Sequence, residues 1–389
     1  MVNKVYQVPY GTKDILPGEM KKRRLVENAI IDVFEKWGYD EVKTPDFEYV
    51  DTFGAAGARV DFRFFDRNNN LLVLRNDMTA PIARLTATRL QGGEQIKRLC
   101  YLANLYRYEE IQAGRQCEFE QAGVELLGAN GAVADAEIIV LAAESMQAAG
   151  VKKFTISLGH VDFINGLADE AGFNEEQIKQ LKVCLRRHDA VGMQQMADAM
   201  ENINSDIKQL FADFLFLQGG LELLERIDAV VTNVKCKSAL NDLCCIYRLV
   251  EAYGAARYLN FDLGLYRSLD YYTGMLFEIY LPEIGYPVAG GGRYDKMMQR
   301  FGLHCPATGF ALGVDRILLA LERNGLIKNA RSWDVLVAWS EDKLSEAIAK
   351  TVALRKEGRS VKLMTESTDL QQAAQAVKEY CCSSLVYVS

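Results

Sequence analysis

An α+β fold is predicted by three features of the chain. Residues 99–108 and 116–127 form two long runs that alternate partly in apolar character, and a polar loop containing Ala113-Gly114 joins them, so antiparallel pairing is the simplest reading. Residues 161–258 carry helical periodicity almost throughout, the pattern of an inserted helical unit. Residues 333–389 read strand, helix, strand, helix, strand, which is a small parallel α/β domain.

The elements follow in order. Over residues 20–38, Val26, Ile30, Val33 and Trp37 recur on one helical stripe and Gly38 is a natural stop. The basic run at residues 21–24 lies in the first turn of that helix, where the dipole disfavours it, and is expected to be a solvated face. Residues 41–44 suggest a short strand halted by Pro45. Residues 63–66 and 71–75 flank Arg67-Asn68-Asn69-Asn70 as a β-hairpin, and a helix is expected over 79–90. Past the long strand pair come a helix at 134–148 and a strand at 153–158. Beyond the helical stretch, strands are expected at 261–265 and 275–280, then a glycine cluster at 290–292 and a helix at 314–323 closed by Asn324-Gly325. The final domain has strands at 333–338, 360–363 and 384–388 and helices at 344–356 and 370–380. No internal repeat of 20–50 residues is visible.

Composition narrows the function classes. A chain of 389 residues suggests two to three domains, and 49% hydrophobic with 25% charged residues is ordinary globular usage. Glu137 and Glu144 break the richest apolar stretch well short of the roughly 20 residues a bilayer needs. Pro9, Asp14 and Pro17 leave no signal-peptide block near the start, so a cytoplasmic protein is expected. A net charge of −7 supplies no global attraction for nucleic acid. Nine cysteines without a CxxC spacing, with Cys244-Cys245 and Cys381-Cys382 in apolar surroundings, read as buried thiols of a reducing compartment. His160, His188 and His304 are too scattered for a zinc motif, so neither metal nor cofactor is expected.

Four strings carry chemistry. In "NLYRYEEIQAGRQCEFEQAGVELLG", Arg107 and Arg115 face one another across a loop, and two rigid guanidinium forks suit phosphate oxygens. Gln121 and Glu125 share a strand face, where an amide and a carboxyl can recognise a small ligand with N–H groups such as an imidazole; the same pattern fits a solvated polar face of a sheet. "LYRSLDYYTGMLFEIY" crowds Arg267, Asp270, Tyr271, Tyr272 and Glu278 around one strand. "AGGGRYDKM" lets the backbone approach a ligand or neighbouring strand closely, but lacks the lysine of a P-loop. "ATGFALGVDRILLAL" places Arg316 at the start of an apolar helix, where it could meet a nucleotide or be an ordinary surface charge.

Together these strings resemble the class II aminoacyl-tRNA synthetase core, specifically the histidyl-tRNA synthetase family. "GYDEVKTPDFE" is similar to the first class motif, "YRYE" with Arg115 to the second and "GFALGVDR" to the third, while "RSLDYYTGMLFE" and "GGGRYD" resemble the two histidine-specific motifs. The likeness runs from Gly11 to Ser389. Three departures point away from an active synthetase and toward its paralogues, the regulatory subunits of ATP phosphoribosyltransferase. Asp77 in "LRNDMTAPIARL" stands where the synthetases have a glutamate; Cys117 replaces a phosphate-facing arginine, in a string ending "EFEQ"; and the last domain resembles an anticodon-binding domain that stops after its third strand. Residues 331–389 hold eight Lys or Arg and eight Asp or Glu, without the basic excess expected for tRNA.

The resemblance implies a class II synthetase-like antiparallel sheet flanked by helices over residues 1–160 and 256–327, a helical insertion over 161–255 and a truncated α/β domain over 328–389. It implies a non-catalytic regulatory subunit that joins a short-form catalytic subunit at the first step of histidine biosynthesis and reports L-histidine, forms a homodimer through residues 36–48, and binds no tRNA and no membrane. The alternative reading is an active histidyl-tRNA synthetase; a third is a free-standing amino-acid ligase or tRNA-like modifying enzyme on the same core. By the resemblance, Asp77 and Thr79 meet the α-amino group of histidine, Arg107 and Gln121 its carboxylate and amino end, and Glu125 and Tyr271 its imidazole. Arg267 matches an arginine that assists adenylation, Tyr272 lines the cavity, and Arg107, Arg115 and Arg316 are candidates for residual ATP binding.

Overall fold

The computed structural model describes residues 4–54, 61–108, 116–200, 203–267, 272–326 and 333–389. Two units emerge: Met1–Asp14 with Arg23–Leu326, and Ile15–Lys22 with Ile327–Ser389.

The larger unit begins with most of α1 (Pro17–Lys36), followed by β1 (Asp40–Glu41) and a small antiparallel sheet of β2 (Phe47–Tyr49), β3 (Arg63–Phe65) and β4 (Leu71–Leu74). The hairpin of β3 and β4 is the one expected; β2 went unpredicted because three residues carry too little alternation. α2 (Thr79–Arg89), β5 (Lys97–Tyr106), β6 (Glu118–Leu127), α3 (Gly131–Ala148) and β7 (Thr155–His160) come next. The helical stretch holds α4 (Val161–Glu170), α5 (Glu175–Arg187), α6 (Ala190–Asp198), α7 (Ser205–Ala212), β8 (Gln218–Gly219), α8 (Leu221–Asp228) and α9 (Val234–Ala252). The core closes with β9 (Leu259–Asp262), β10 (Met275–Leu281), β11 (Ile284–Arg293), α10 (Asp295–Gln299), β12 (Ala307–Gly313) and α11 (Val314–Arg323).

Nine strands form one sheet in the order β1-β5-β6-β12-β11-β10-β7-β9-β8. Its middle is antiparallel, as expected, while β1 runs parallel to β5 and β9 parallel to β7, so the sheet is mixed at its edges. The insertion is not wholly helical, because β8 pairs with β9 at the sheet edge. β11 and β12 were missed as strands: their glycines and alanines carry no alternating signal, yet Gly290, Gly291 and Gly292 pair with both neighbours. α3 is apolar almost all round, with Ile138, Ile139, Leu141 and Met146 all buried. A helix of that pattern is covered on more than one side; here the sheet and α9 supply the cover.

Three expectations are corrected. The buried stripe of α1 is Val26, Ile30 and Phe34 with Arg23 and Glu27, whereas Val33 and Trp37 are half-buried. The basic run is not wholly a solvated face, since Arg23 is 4% exposed and donates through Nη1 to Glu120 (2.8 Å) and through Nη2 to Asp315. Nor are the paired cysteines all buried: Cys244 and Cys245 are half-buried and Cys381 is exposed, although all nine thiols are free.

The smaller unit holds β13 (Trp333–Trp339), α12 (Leu344–Lys356), β14 (Val361–Leu363), α13 (Leu370–Glu379) and β15 (Cys382–Val388), a parallel sheet in the order β14-β13-β15 as expected. Val335, Val337, Ala347, Leu354 and Val361 form its core.

Candidate ligand site

A trough crosses the middle of the large sheet. One row of register partners, Tyr101, Gly123, Ala311, Gly290 and Glu278, runs through β5, β6, β12, β11 and β10 in turn. Large polar side chains stand at its ends and nearly side-chain-free positions between them. The cavity above measures about 490 Å³, within the size range of small-molecule sites. Asp77, Thr79, Arg107, Gln121, Glu125, Arg267, Tyr272 and Arg316 all line it, so the fold assembles these sequence-predicted residues in one place. Arg115, Asp270 and Tyr271 lie outside the described residues.

Glu125 stands at one end, 2% exposed. Thr79 Oγ1 donates to its Oε1 at 3.0 Å and the Tyr294 hydroxyl donates to its Oε2. Its partner across the sheet is Gly309, where a Cβ would overlap Oε2; only glycine leaves the carboxyl room to lie against the sheet. Burial pushes this carboxyl up to about 8; neighbouring Asp77 adds to the push and the two hydroxyl donors oppose it. At neutral pH Glu125 is therefore largely protonated. Burial likewise raises the pKa of Tyr101, keeping its phenol a hydrogen-bond donor.

The first turn of α2 carries the facing groups. Asp77 Oδ1 accepts from the Ala80 amide at 3.2 Å, holding the carboxylate at the helix start, where the dipole favours negative charge. Met78, Ile82 and Ala83 pack on Leu99, Tyr101 and Ala103 of β5, which sets the helix over the sheet face bearing Glu125. Arg107 donates through Nε to the Asn76 carbonyl at 2.8 Å and lies 5.3 Å from the Phe119 ring centroid, a cation–π distance.

At the other end, Arg267 lies over Gly290, where a Cβ would overlap its guanidinium. Its Nε is 3.5 Å from Glu278 Oε1, its carbon sits 5.7 Å from the Tyr272 ring, and Tyr280 donates to Glu278 Oε2 at 2.6 Å. Arg316 donates to the Pro287 carbonyl at 2.6 Å and stacks 5.1 Å over Tyr286.

Sequence reasoning passed over Tyr101, Phe119 and Tyr294 as site residues. Tyr101 had a usable signal, since it lies on the alternating strand that faces Gln121 and Glu125. Tyr294 sat unremarked within the quoted "GGGRYD". Arg186 and His188 of the insertion also line the cavity, and no local pattern could have announced them. Cys117 shows the opposite behaviour: it is 2% exposed, packed on Gly11, and its amide donates to the Gly11 carbonyl at 2.8 Å, while neighbouring Gln116 lines the cavity.

Comparison with known proteins agrees with this architecture. The histidyl-tRNA synthetase family profile matches residues 11–317. The ATP phosphoribosyltransferase regulatory subunit of Moorella thermoacetica is 40% identical over 372 residues, covering 95% of this chain and 94% of that protein. That of Acetivibrio thermocellus is 36% identical over 374 residues, covering 95% and 89%. The crystal structure of an ATP phosphoribosyltransferase regulatory subunit/histidyl-tRNA synthetase from Bacillus halodurans superposes with a TM-score of 0.88 at 32% identity over the whole of both chains. On the shared fold and on likeness along nearly its whole length, the chain belongs to the family of ATP phosphoribosyltransferase regulatory subunits, built on the class II histidyl-tRNA synthetase core.

Proposed function

We propose that the cavity binds free L-histidine and that the chain, without chemistry of its own, passes this signal to a separate short-form catalytic ATP phosphoribosyltransferase subunit. The observation that carries the reading is the buried Glu125 carboxyl, oriented by Thr79 and Tyr294 in a cavity that Asp77 also lines. Asp77 and Thr79 would meet the α-ammonium, Arg107 and Gln121 the carboxylate, and Glu125 the imidazole; Tyr272 walls the same space. Binding then shifts the equilibrium of the complex, with couplings of about 1–3 kcal/mol typical of such linkage.

The non-catalytic reading is supported at position 117. A phosphate-facing arginine is expected there in a synthetase, and here a cysteine is packed against the Gly11 backbone. The balanced charge of residues 331–389 speaks against tRNA. Arg107 and Arg316 remain in the cavity and would suit residual ATP binding. A homodimer through residues 36–48 is favoured by the exposed Phe47 (52%), with Tyr49 (57%) and Phe65 (63%) exposed on the same small sheet just outside that span. The free thiols suit a reducing, cytoplasmic compartment for this chain, and none of the described helices is long and apolar enough to cross a membrane.

The test is co-expression with short-form catalytic subunits and assay of phosphoribosyl transfer with and without L-histidine. Activity that requires this chain and falls when histidine is added is expected. Transferase activity indifferent to the chain, or histidine-dependent charging of tRNA by it, would overturn the reading.

A further inference from the structure

The two helices of the smaller unit cover opposite faces of one sheet but differ on their outer sides. Val335, Val337 and Val361 pack with α12, while Leu336, Cys382 and Leu385 pack with α13. The outer side of α13 is polar, with Gln371, Gln372, Gln375, Lys378 and Glu379 exposed, the usual pattern of a surface helix. That of α12 is not. Ala347, Thr351 and Leu354 are its buried residues. Leu344, Ile348 and Val352 form a second apolar row, left 41%, 45% and 44% exposed. A spacing of four places them on one stripe, about 12 Å long. Ser345, Ala349 and Ala353, all exposed, run beside it with little side-chain bulk.

The charges at the two ends of this stripe select its occupant. Glu341 and Asp342 are exposed in the turn that enters α12, and Arg355, Lys356 and Arg359 are exposed at its exit. A uniformly acidic or basic partner would match one end and be repelled by the other. A second copy laid antiparallel matches both, since the acidic entry of each helix then meets the basic exit of the other and the two helix dipoles oppose one another. The spacing is also palindromic. Glu341, Leu344, Ile348, Val352 and Arg355 follow one another at intervals of three, four, four and three residues. A two-fold axis at Ile348 therefore sets Leu344 against Val352 of the second copy and the turn of Glu341 against the end bearing Arg355 and Lys356, as an isologous contact requires.

We propose that α12 is a self-association surface, pairing antiparallel with α12 of a second copy about a two-fold axis at Ile348. The small side chains of Ser345, Ala349 and Ala353 let the two helix axes approach closely. A helix of 13 residues is about 20 Å long, too short for a standard-size interface, so the association is weak and reversible. It is separate from the homodimer proposed through residues 36–48 and does not depend on histidine. Arg355 also donates to the Val361 carbonyl at 3.0 Å, so charge reversals at Glu341 and Lys356 probe the contact without breaking that bond.

Sedimentation velocity of the full chain over a concentration series tests this. The parent should show a reversible doubling of mass that Ile348→Glu shifts to at least ten-fold higher concentration at an unchanged melting temperature. Glu341→Lys and Lys356→Glu should each shift it at least three-fold, and an equimolar mixture of the two should restore it, because like charges in each homotypic pair become opposite in the mixed one. A second measurement oxidises the Cys381→Ser, Ile348→Cys variant with copper–phenanthroline. A disulfide joining position 348 of two copies is expected, and because it is read at that position it stands or falls apart from the contact at residues 36–48. Association unaltered by Ile348→Glu, a mixture no stronger than its components, or no disulfide at position 348 would each overturn the proposal. Should position 348 resist cross-linking and be shielded from a thiol reagent only when a short-form catalytic subunit is added, the face belongs to that subunit and self-association is ruled out.

Discussion

Thr79 Oγ1 donates to Glu125 Oε1 at 3.0 Å, joining residues 46 apart in sequence and fixing the first turn of α2 to the middle strands of the large sheet. The bond leaves the carboxyl oriented toward the cavity while its charge is disfavoured by burial. A ligand that shares a proton with this group would relieve that cost.

The first expected outcome concerns side-chain recognition. Glu125→Gln keeps the size but cannot share a proton with the ligand, so L-histidine should bind at least five-fold more weakly while the fold persists. A buried polar partner left unmatched costs about 1–3 kcal/mol. Asp77→Asn should also weaken histidine, because the counter-charge to the ammonium is gone, yet preserve discrimination among amino acids. Calorimetry with histidine and its isosteres separates the two; Glu125→Gln binding histidine at parental strength would place the ligand elsewhere.

A second outcome is pH dependence. Free imidazole titrates near 6.5 and Glu125 near 8. A paired complex holding one shared proton forms without proton exchange only between those values. Affinity should be highest there, falling up to about ten-fold per unit on either side. A flat profile from pH 5.5 to 9 would show that the carboxyl does not face the imidazole.

The same group links pH to stability. Its folded pKa lies above its unfolded value, so the folded chain binds more protons, and stability present at low pH is lost as pH rises from about 4.5 through 8. Glu125→Gln removes this titration. Melting temperatures of parent and variant should diverge toward alkaline pH, with the parent losing more; parallel curves would contradict the burial argument.

Arg23 carries a further expectation. It is buried beneath Glu120 and Asp315, and burial with adjacent Glu27 already pushes Glu120 up to about 7. Arg23→Met leaves the half-buried Glu120 and Asp315 without their partner and should destabilise the larger unit by about 1–3 kcal/mol. Denaturant unfolding measures this, and a loss below 1 kcal/mol would show the cluster to be solvated in solution.

Position 117 offers a test of the idle-site reading. Cys117→Arg inserts a long side chain where Sγ already packs on Gly11, so stability should fall by about 1–3 kcal/mol with no gain of tRNA charging. Measurable histidine-dependent aminoacylation by that variant would mean that a single residue had separated the two activities.

By itself the sequence determined the elements with strong periodicity. The antiparallel pair of β5 and β6, α11, α12 and the β-α-β-α-β order of the smaller unit were legible because alternation and helical stripes are local consequences of burying one face. The motif strings named Glu125, Asp77 and Arg267 before any geometry was known. Tertiary structure alone decided what those residues do. β11 and β12 have glycines where a strand should show side chains, and only pairing with both neighbours makes them strands. Glu125 is uncharged near neutrality because packing removes water from it, which no neighbouring residue in the chain reveals. Arg23 and Arg186 are both basic residues on helices, and nothing in their local sequence tells them apart. One is buried against two carboxylates and the other is carried to the cavity wall, since burial and proximity depend on which distant elements the fold brings against each helix.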